Sequence, residues 1–265
     1  MSAREAVLYR THIFNPVIRR EVVRLRAEVA DCDHFLVGYL KQNAAVPAGL
    51  GKSLRMYRRA DLVDLPYPNK TIFVDWARTV GDNDLPVLAF YQEQPDYEFY
   101  WIVEYDVRYT GNWGALFNEL RTSDADYLGT TIQDHDENPR WAFWPTLVNA
   151  PTGALQRVRC FNPFCRVSNR ALSAIDQWYR DGGTGHYELT WTSVCKTKGL
   201  KIEDLGSSGR YTPQRWRGKH YSNTPLNPPL SPGTFVFRPP FRADAIAKAG
   251  AKNPGRPMLW HPIKE

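Results

Sequence analysis

The segment FYWIVEYD at residues 99–106 constrains the fold more than any other part of the sequence. Its first five residues are all apolar or aromatic, so both faces of the strand that they predict must be covered by other parts of the chain. Strands of this kind lie in the centre of parallel sheets, with helices packed on each face. The segment therefore predicts an α/β fold and a central strand that ends in Glu104 and Asp106.

A strand, a helix and a second strand follow one another at the start of the chain. AVLYRTHI at 6–13 predicts a strand, and NPVIRREVVRLRAEVA at 15–30 carries apolar residues at helical spacing. Asn15 is placed to cap this helix, and Pro16 then falls at its first position, where a missing amide is harmless. DHFLVGYL at 33–40 completes a βαβ unit, which implies a parallel sheet.

Later segments continue this alternation. Further strands are predicted in KTIFVDWA at 70–77, DYLGTTIQ at 126–133, the apolar run from 157 and KIEDLG at 201–206; helices are predicted at 85–94, 111–121, after Ser168 and from 185. No internal repeat or low-complexity linker divides the 265 residues. We expect one α/β domain over 1–265, with a mostly parallel, Rossmann-like central sheet and helices on both faces.

Composition and net charge limit the classes of function that this chain could have. Hydrophobic residues make up 43% and charged residues 23%, which is typical of a folded globular chain. The net charge of +6 favours an anionic partner, namely nucleic acid, anionic lipid or a phosphorylated small molecule. Nucleic-acid binding is the less favoured interpretation, because no helix-turn-helix, RRM or KH pattern is present. The phosphate-binding loops of ATPases and dinucleotide enzymes are also missing from the sequence.

Cysteine usage indicates a reducing compartment. The four cysteines form no C-x-x-C pair, no apolar signal segment follows the N terminus, and no apolar run approaches the roughly 20 residues of a membrane span. We therefore expect free thiols in a cytoplasmic protein.

Glu104 and Asp106 lie on the same side of the predicted strand, because strand side chains alternate. Two such carboxylates can hold Mg²⁺ or Mn²⁺, which would neutralise a substrate diphosphate. In the alternative, Asp106 caps the next segment and Glu104 pairs with an arginine such as Arg108. Ligands bind beyond the carboxyl ends of strands in open α/β sheets, and this position favours the first interpretation.

The sequence resembles the GT-A class of nucleotide-sugar glycosyltransferases. The shared features are the βαβ start, the apolar central strand ending in an acid-x-acid triplet, an aromatic loop and a later helix that opens with a glutamate. More narrowly, FYWIVEYDVRYTGNW, GHYELTWTSVCKTKGL and LWHPIK are similar to bacterial glycosyltransferase-like proteins. The resemblance covers about residues 6–205 and 259–264. The triplet is EYD where the class has DxD, and some members stabilise the diphosphate with Arg and Lys, so metal-independent activity remains an alternative.

The resemblance implies roles for four residues around the donor diphosphate. Asp106 would contact a cation or the donor phosphates, and Glu104 would support it. His261 in LWHPIK would be a further metal ligand, since a neutral imidazole suits Mn²⁺. Lys264 would contact the diphosphate. The alternative for His261 is a terminal residue without a role.

The resemblance also implies a general base near the start of the helix that follows Gly185. Glu188 is the candidate, because an inverting transfer needs a group that takes the proton of the acceptor hydroxyl. Glu188 could instead only complement the helix dipole. His186 could be the base itself or a hydrogen-bond partner of the acceptor, and the sequence does not separate these alternatives.

Nucleotide and acceptor contacts complete the expected site. Arg10 and Thr11, at the end of the first strand, lie where GT-A proteins contact the nucleotide, and Asp75 in FVDWA has a similar position. Arg10 could instead pair with a carboxylate at the sheet edge. Trp141 and Trp144 lie in a proline-flanked loop, where indoles could pack on the sugar rings of an acceptor.

The implied function is sugar transfer from a nucleotide-diphospho-sugar to a hydroxyl of a glycan or lipid-linked acceptor, with inversion and with Mn²⁺ or Mg²⁺ as cofactor. Residues 1–106 would bind the nucleotide-sugar, 107–222 the acceptor, and the proline-rich 223–265 would wrap around the domain. The basic surface would allow peripheral contact with the inner face of an anionic membrane. The alternatives are a nucleotidyltransferase acting on a sugar phosphate and a non-catalytic carbohydrate- or nucleic-acid-binding protein with a degenerate site.

Overall fold

The computed structural model describes residues 4–40, 53–70, 82–148, 156–223, 233–238, 240–244, 246, 248 and 256–264. Strands and helices alternate along most of this chain. They are β1 (Glu5–Arg10), α1 (Pro16–Glu28), β2 (Asp33–Tyr39), β3 (Leu54–Tyr57), α2 (Arg59–Val63), α3 (Leu85–Glu93), β4 (Phe99–Glu104), β5 (Arg108–Tyr109), α4 (Trp113–Leu120), β6 (Tyr127–Asp134), β7 (Val158–Ser168), α5 (Asn169–Arg180), α6 (Tyr187–Thr197), β8 (Ile202–Asp204) and β9 (Leu259–Trp260).

The described strands form one seven-stranded sheet in the order β3-β2-β1-β4-β7-β6-β8 and a two-stranded sheet of β5 and β9. Strand β7 pairs antiparallel with both of its neighbours, and the other pairs of the large sheet are parallel. Six of the seven strands therefore point the same way. The prediction of an α/β fold with a mostly parallel sheet is confirmed, and the reversal of β7 is a feature that the sequence pattern did not indicate.

Strand β4 lies in the middle of this sheet, as its apolar sequence predicted. It pairs with β1 on one side and β7 on the other, and Trp101, Ile102 and Val103 are buried. Arg10 and Glu104 end the two neighbouring strands at the same level of the sheet. The carboxyl ends of β1 and β4 consequently open onto the same edge.

Helices cover both faces of the sheet. Alternate residues of β1 enter two separate cores, because strand side chains point to opposite faces. Ala6 and Leu8 pack with residues of α3, α5 and α6, whereas Val7 and Tyr9 pack with residues of α1 and α4. Among the described helices none combines the length and the apolar character that crossing a membrane requires.

The helix starts follow the capping residues of the sequence. The Asn15 side chain accepts a hydrogen bond from the amide of Ile18, with Pro16 at the first helical position. Ser168 accepts from the amide of Ala171 at the start of α5. Each cap satisfies an amide that the helix itself leaves unpaired. The strand predicted in KTIFVDWA lies outside the described residues except for Lys70.

The C-terminal segment returns to the carboxyl edge of the sheet. Strand β9 pairs antiparallel with β5, which follows β4 directly. The amide of Ile263 then donates a hydrogen bond of 2.9 Å to the carbonyl of Asp106. This pairing places residues that are far apart in the sequence beside each other.

Candidate active site

Three potential ligand side chains meet just beyond the end of β4. They belong to Glu104, Asp106 and His261, and one ligand atom of each lies within 4.8 Å of the others. Glu104 is the last residue of β4, Asp106 lies in the turn before β5, and His261 follows β9. The pairing of β5 with β9 therefore builds the cluster that the sequence predicted as a metal site.

Asp106 is a buried carboxylate, and only one of its two oxygens accepts a hydrogen bond. Its Oδ2 lies 2.6 Å from the Nζ of Lys264, whereas its Oδ1 has no hydrogen-bond partner. Burial by itself would raise the pKa of Asp106, but the positive charges of His261 and Lys264 hold this pKa well below its usual range. Asp106 is therefore ionised, and its Oδ1 faces the other members of the cluster without accepting a hydrogen bond.

His261 has the orientation of a metal-ligating histidine. Its Nδ1 lies 2.8 Å from the carbonyl oxygen of Val236 and so donates to it. Its Nε2 faces the carboxylates, 3.5 Å from Asp106 and 3.9 Å from Glu104. Burial alone would lower the pKa of His261, but Asp106 raises it overall. A carbonyl partner on one ring nitrogen commonly fixes the other for metal binding.

These donors fit a divalent cation. A carboxylate oxygen without a partner, a second carboxylate and an imidazole nitrogen form an oxygen- and nitrogen-rich set that suits Mn²⁺ or Mg²⁺. Lys264 competes with a cation for Asp106 Oδ2 only, since Oδ1 accepts no hydrogen bond and lies 3.5 Å from His261 Nε2.

Glu104 is held by Arg10 and not by Arg108. The Nη1 of Arg10 lies 3.0 Å from Glu104 Oε1, and both side chains are largely buried. Burial would lower the pKa of Arg10, but Glu104 and Tyr187 raise it overall. Arg108 instead donates to the backbone carbonyls of Tyr105 and Val107. The ion-pair alternative for Arg10 is thus observed, and its contact with a nucleotide stays a prediction.

Lys264 forms the accessible margin of the cluster. Its side chain is 48% exposed, and its Nζ donates to the hydroxyl of Tyr105 and to Asp106, each at 2.6 Å. The ammonium also lies 4.6 Å from the ring centroid of Tyr105. A negatively charged ligand can therefore meet a positive charge here without entering the core.

Glu188 lies in the first turn of α6 and is buried. Its pKa is raised to about 7, chiefly because burial penalises the charged form, while Arg159 lowers it and Glu104 raises it. His261 also acts on Glu188. The candidate base is thus electrostatically connected to the Glu104–Asp106–His261 cluster, although it is 82 residues away from Asp106 in the sequence.

His186 caps α6 with its ring. Its Nδ1 accepts a hydrogen bond of 3.3 Å from the amide of Glu188, and its ring stacks on Phe143 with centroids 4.2 Å apart. Burial, with contributions from Lys70 and Arg159, lowers the pKa of His186 to about 3. The imidazole is consequently neutral and its Nδ1 is already engaged.

The two loop tryptophans have different surroundings. Trp144 is buried and donates its indole N–H to the carbonyl of Asn138 at 2.7 Å. Trp141 is half-buried, and its ring lies 5.7 Å from His186 by centroid distance. Both roles as acceptor contacts stay predictions, but Trp141 is the one that remains partly accessible beside α6.

The Thr11 side chain is engaged with the backbone of its own segment. The Thr11 hydroxyl donates to the carbonyl of Ile13 and accepts from the amide of the same residue. Asp75 lies outside the described residues. The predicted nucleotide contacts of both residues therefore remain predictions.

Arg159 is a member of the site that the sequence analysis missed. It lies near the start of β7, is buried, and has its guanidinium carbon 4.6 Å from the ring centroid of Trp141. A charged residue inside the apolar run VRCF could have been recognised, because a buried strand tolerates a charge only when a partner or ligand compensates it.

Comparisons with known proteins add little to this geometry. A family described as a protein of unknown function (DUF3405) matches residues 39–124, less than half of the chain. No curated protein matches the sequence.

Among solved structures, mouse xyloside xylosyltransferase 1 in its apo form is similar with 13% identity and a TM-score of 0.38, covering 74% of this chain and 82% of that one. A putative glucose-1-phosphate thymidylyltransferase from Bacillus anthracis, in complex with a sucrose, is similar with 9% identity and a TM-score of 0.36, covering 66% and 75%. Both TM-scores lie below 0.5, so these structures support no assignment of function.

Proposed function

We propose that this protein is a glycosyltransferase that moves a sugar from a nucleotide-diphospho-sugar to a hydroxyl acceptor. The observation that carries the proposal is the contrast between two buried carboxyl groups, Asp106 in the cluster and Glu188 in the first turn of α6. Asp106 is held ionised and its Oδ1 accepts no hydrogen bond, whereas Glu188 has its pKa raised to about 7. Environments that separate two carboxyl groups in this way assign one to charge stabilisation and the other to proton transfer.

The donor diphosphate would lie against the accessible side of the cluster. Lys264 provides a half-exposed ammonium, and Asp106, Glu104 and His261 provide the donors for Mn²⁺ or Mg²⁺. A bound cation would neutralise the negative charge of the leaving diphosphate. Arg10 holds Glu104 in place through its ion pair. Arg10, Thr11 and Asp75 would contact the nucleotide of this donor.

The acceptor would approach from the side of α6. Glu188 would take the proton of the acceptor hydroxyl while the oxygen forms a bond to the anomeric carbon and the bond to the diphosphate breaks, which inverts the configuration at that carbon. A base with a pKa near the working pH is the most effective. His186, with a pKa lowered to about 3 and its Nδ1 in a cap, is a much weaker base, which favours Glu188.

A turnover assay with a Glu188→Gln variant tests this function. Purified protein is incubated with nucleotide-sugars and candidate acceptors, and release of the nucleoside diphosphate is measured between pH 5 and 9. We expect wild-type activity to increase as the pH rises through about 7, where Glu188 loses its proton. Glu188→Gln should reduce turnover roughly 100-fold or more, in line with the usual contribution of general bases, with donor binding unchanged.

Glu93→Gln is the matched control, because Glu93 is exposed at the end of α3 and pairs with Arg55. This variant should keep full turnover. Retained turnover in Glu188→Gln would remove Glu188 as the base. Release of pyrophosphate in place of a nucleoside diphosphate would identify a nucleotidyltransferase, and a steep loss of nucleic-acid affinity with salt, without turnover, would identify a binding protein.

A further inference from the structure

Arg159 carries a positive charge that the described chain does not neutralise by direct contact. The residue is 3% exposed, yet its guanidinium forms no hydrogen bond and no ion pair within 4.0 Å with any described residue. Its Nε is a buried donor without a partner. Buried arginines are ordinarily paired, because an uncompensated charge in the interior destabilises the fold.

The described residues around Arg159 hold the guanidinium in place but accept no hydrogen bond from it. The guanidinium carbon lies 4.6 Å from the ring centroid of Trp141, and the backbone of Arg159 pairs with Gln133 of β6. Arg159 lowers the pKa of Glu188, so that its field reaches the candidate base, but a hydrogen bond between these two side chains is not formed among the described residues. A fixed planar donor without an acceptor is the arrangement that binding sites offer to an anion.

The neighbours of Arg159 differ from those of Asp106. On the donor side, the positive charges acting on Asp106 come from His261 and Lys264. On the α6 side, Arg159 lies among Trp141, His186 and Glu188. We propose that the acceptor is an acidic saccharide, whose carboxylate binds the guanidinium of Arg159 while its hydroxyl meets Glu188.

This inference rests on the proposed transferase function for the role of the hydroxyl, whereas the carboxylate contact is a binding property and can be measured without turnover. A carboxylate matches the planar fork of arginine with two parallel hydrogen bonds. Charge-assisted bonds of this kind correspond to roughly tenfold to hundredfold in affinity. A neutral saccharide would leave the buried guanidinium unpaired and should bind correspondingly more weakly.

Binding of matched acidic and neutral saccharides tests the proposal. The probes are glucuronate, galacturonate and N-acetylneuraminate beside glucose, galactose and N-acetylmannosamine, titrated into the 265-residue protein and followed by ligand-observed NMR. We expect at least one acid to bind tenfold or more tightly than its neutral counterpart. Arg159→Gln should abolish this preference, and Arg159→Lys should keep part of it, since the charge remains but the planar fork is lost.

Uridine, guanosine and cytidine diphosphates are titrated into the same proteins. Unchanged diphosphate binding in Arg159→Gln supports the acceptor assignment, and weakened diphosphate binding with an unchanged saccharide preference would overturn it. The acceptor assignment would also be overturned if the wild-type protein showed no preference for the acids. This measurement needs only the wild type, so it decides the question even if Arg159→Gln does not fold. Failure of every diphosphate to bind while the acid preference is present would count against the transferase alone.

Discussion

The charge states of single residues in the site are set by burial and by the nearest opposite charge. Asp106 and Glu188 are both buried carboxyl groups, but Asp106 faces two cations while the main influence on Glu188 is loss of solvent. The sequence identified both residues as candidates from their positions at a strand end and a helix start. It could not show which would be ionised, because His261 and Lys264 approach only through the pairing of β9 with β5.

His186 should make the folded protein sensitive to mild acid. Its pKa is lowered to about 3 from the usual 6.5, so unfolding lets it take up a proton. The stabilisation is complete above the unfolded pKa and is lost as the pH falls through the interval from about 6.5 to about 3. At pH 5 protonation of His186 in the unfolded state lowers the free energy of unfolding by about 2 kcal/mol.

Urea denaturation of wild type and His186→Asn at pH 8 and pH 5 measures this contribution. Asparagine is also a good helix cap, so α6 should still form. The loss of unfolding free energy between the two pH values should be smaller in the variant by about 2 kcal/mol. An equal loss in both proteins would show that His186 does not stay neutral in the fold.

The elements were largely predictable because their signals are local. Asn15, Pro16 and Ser168 marked helix starts, and the run of apolar residues in 99–103 marked the central strand. The reversal of β7 was not predictable in this way, since a strand buried on both faces has the same composition in either direction. Arg159 was missed for a related reason, because a local pattern does not show whether a charged residue inside an apolar run is buried.

The fit of β2 against the end of β1 should depend on Gly38. A Cβ at this position would lie 1.9 Å from the carbonyl oxygen of Thr11, which is backbone and cannot turn aside. Gly38→Ala should therefore lower the unfolding free energy by about 1–3 kcal/mol, as overpacking does elsewhere. Thermal or urea denaturation measures the change.

Gly209→Ala is the matched control for this substitution. A Cβ there would meet its nearest atom, the Ser207 hydroxyl, at 3.4 Å, which is close to ordinary contact. Its stability should be nearly that of the wild type. Equal stability of Gly38→Ala and Gly209→Ala would mean that β2 is able to move away from Thr11.

At the scale of the whole molecule, the site is assembled from distant parts of the sequence. Strands β1 and β4, helix α6, strand β7 and the segment after β9 each supply at least one residue, and Asp106 and Lys264 are 158 positions apart. Local patterns cannot show such contacts, so only the resemblance to a known class suggested the terminal residues. The net charge of +6 agrees with an anionic ligand but does not locate it.

The proposed function requires the Glu104–Asp106–His261 cluster to bind a nucleoside diphosphate together with a divalent cation. Calorimetric titration of uridine, guanosine and cytidine diphosphates, with and without Mn²⁺, measures this binding. Asp136→Asn is the control, because Asp136 belongs to a second acidic group, which Arg210 neutralises. We expect one diphosphate to bind wild type and Asp136→Asn more tightly with Mn²⁺, and to bind Asp106→Asn at least about tenfold more weakly. Binding of no diphosphate to the wild type, or equal binding to Asp106→Asn, would contradict the account.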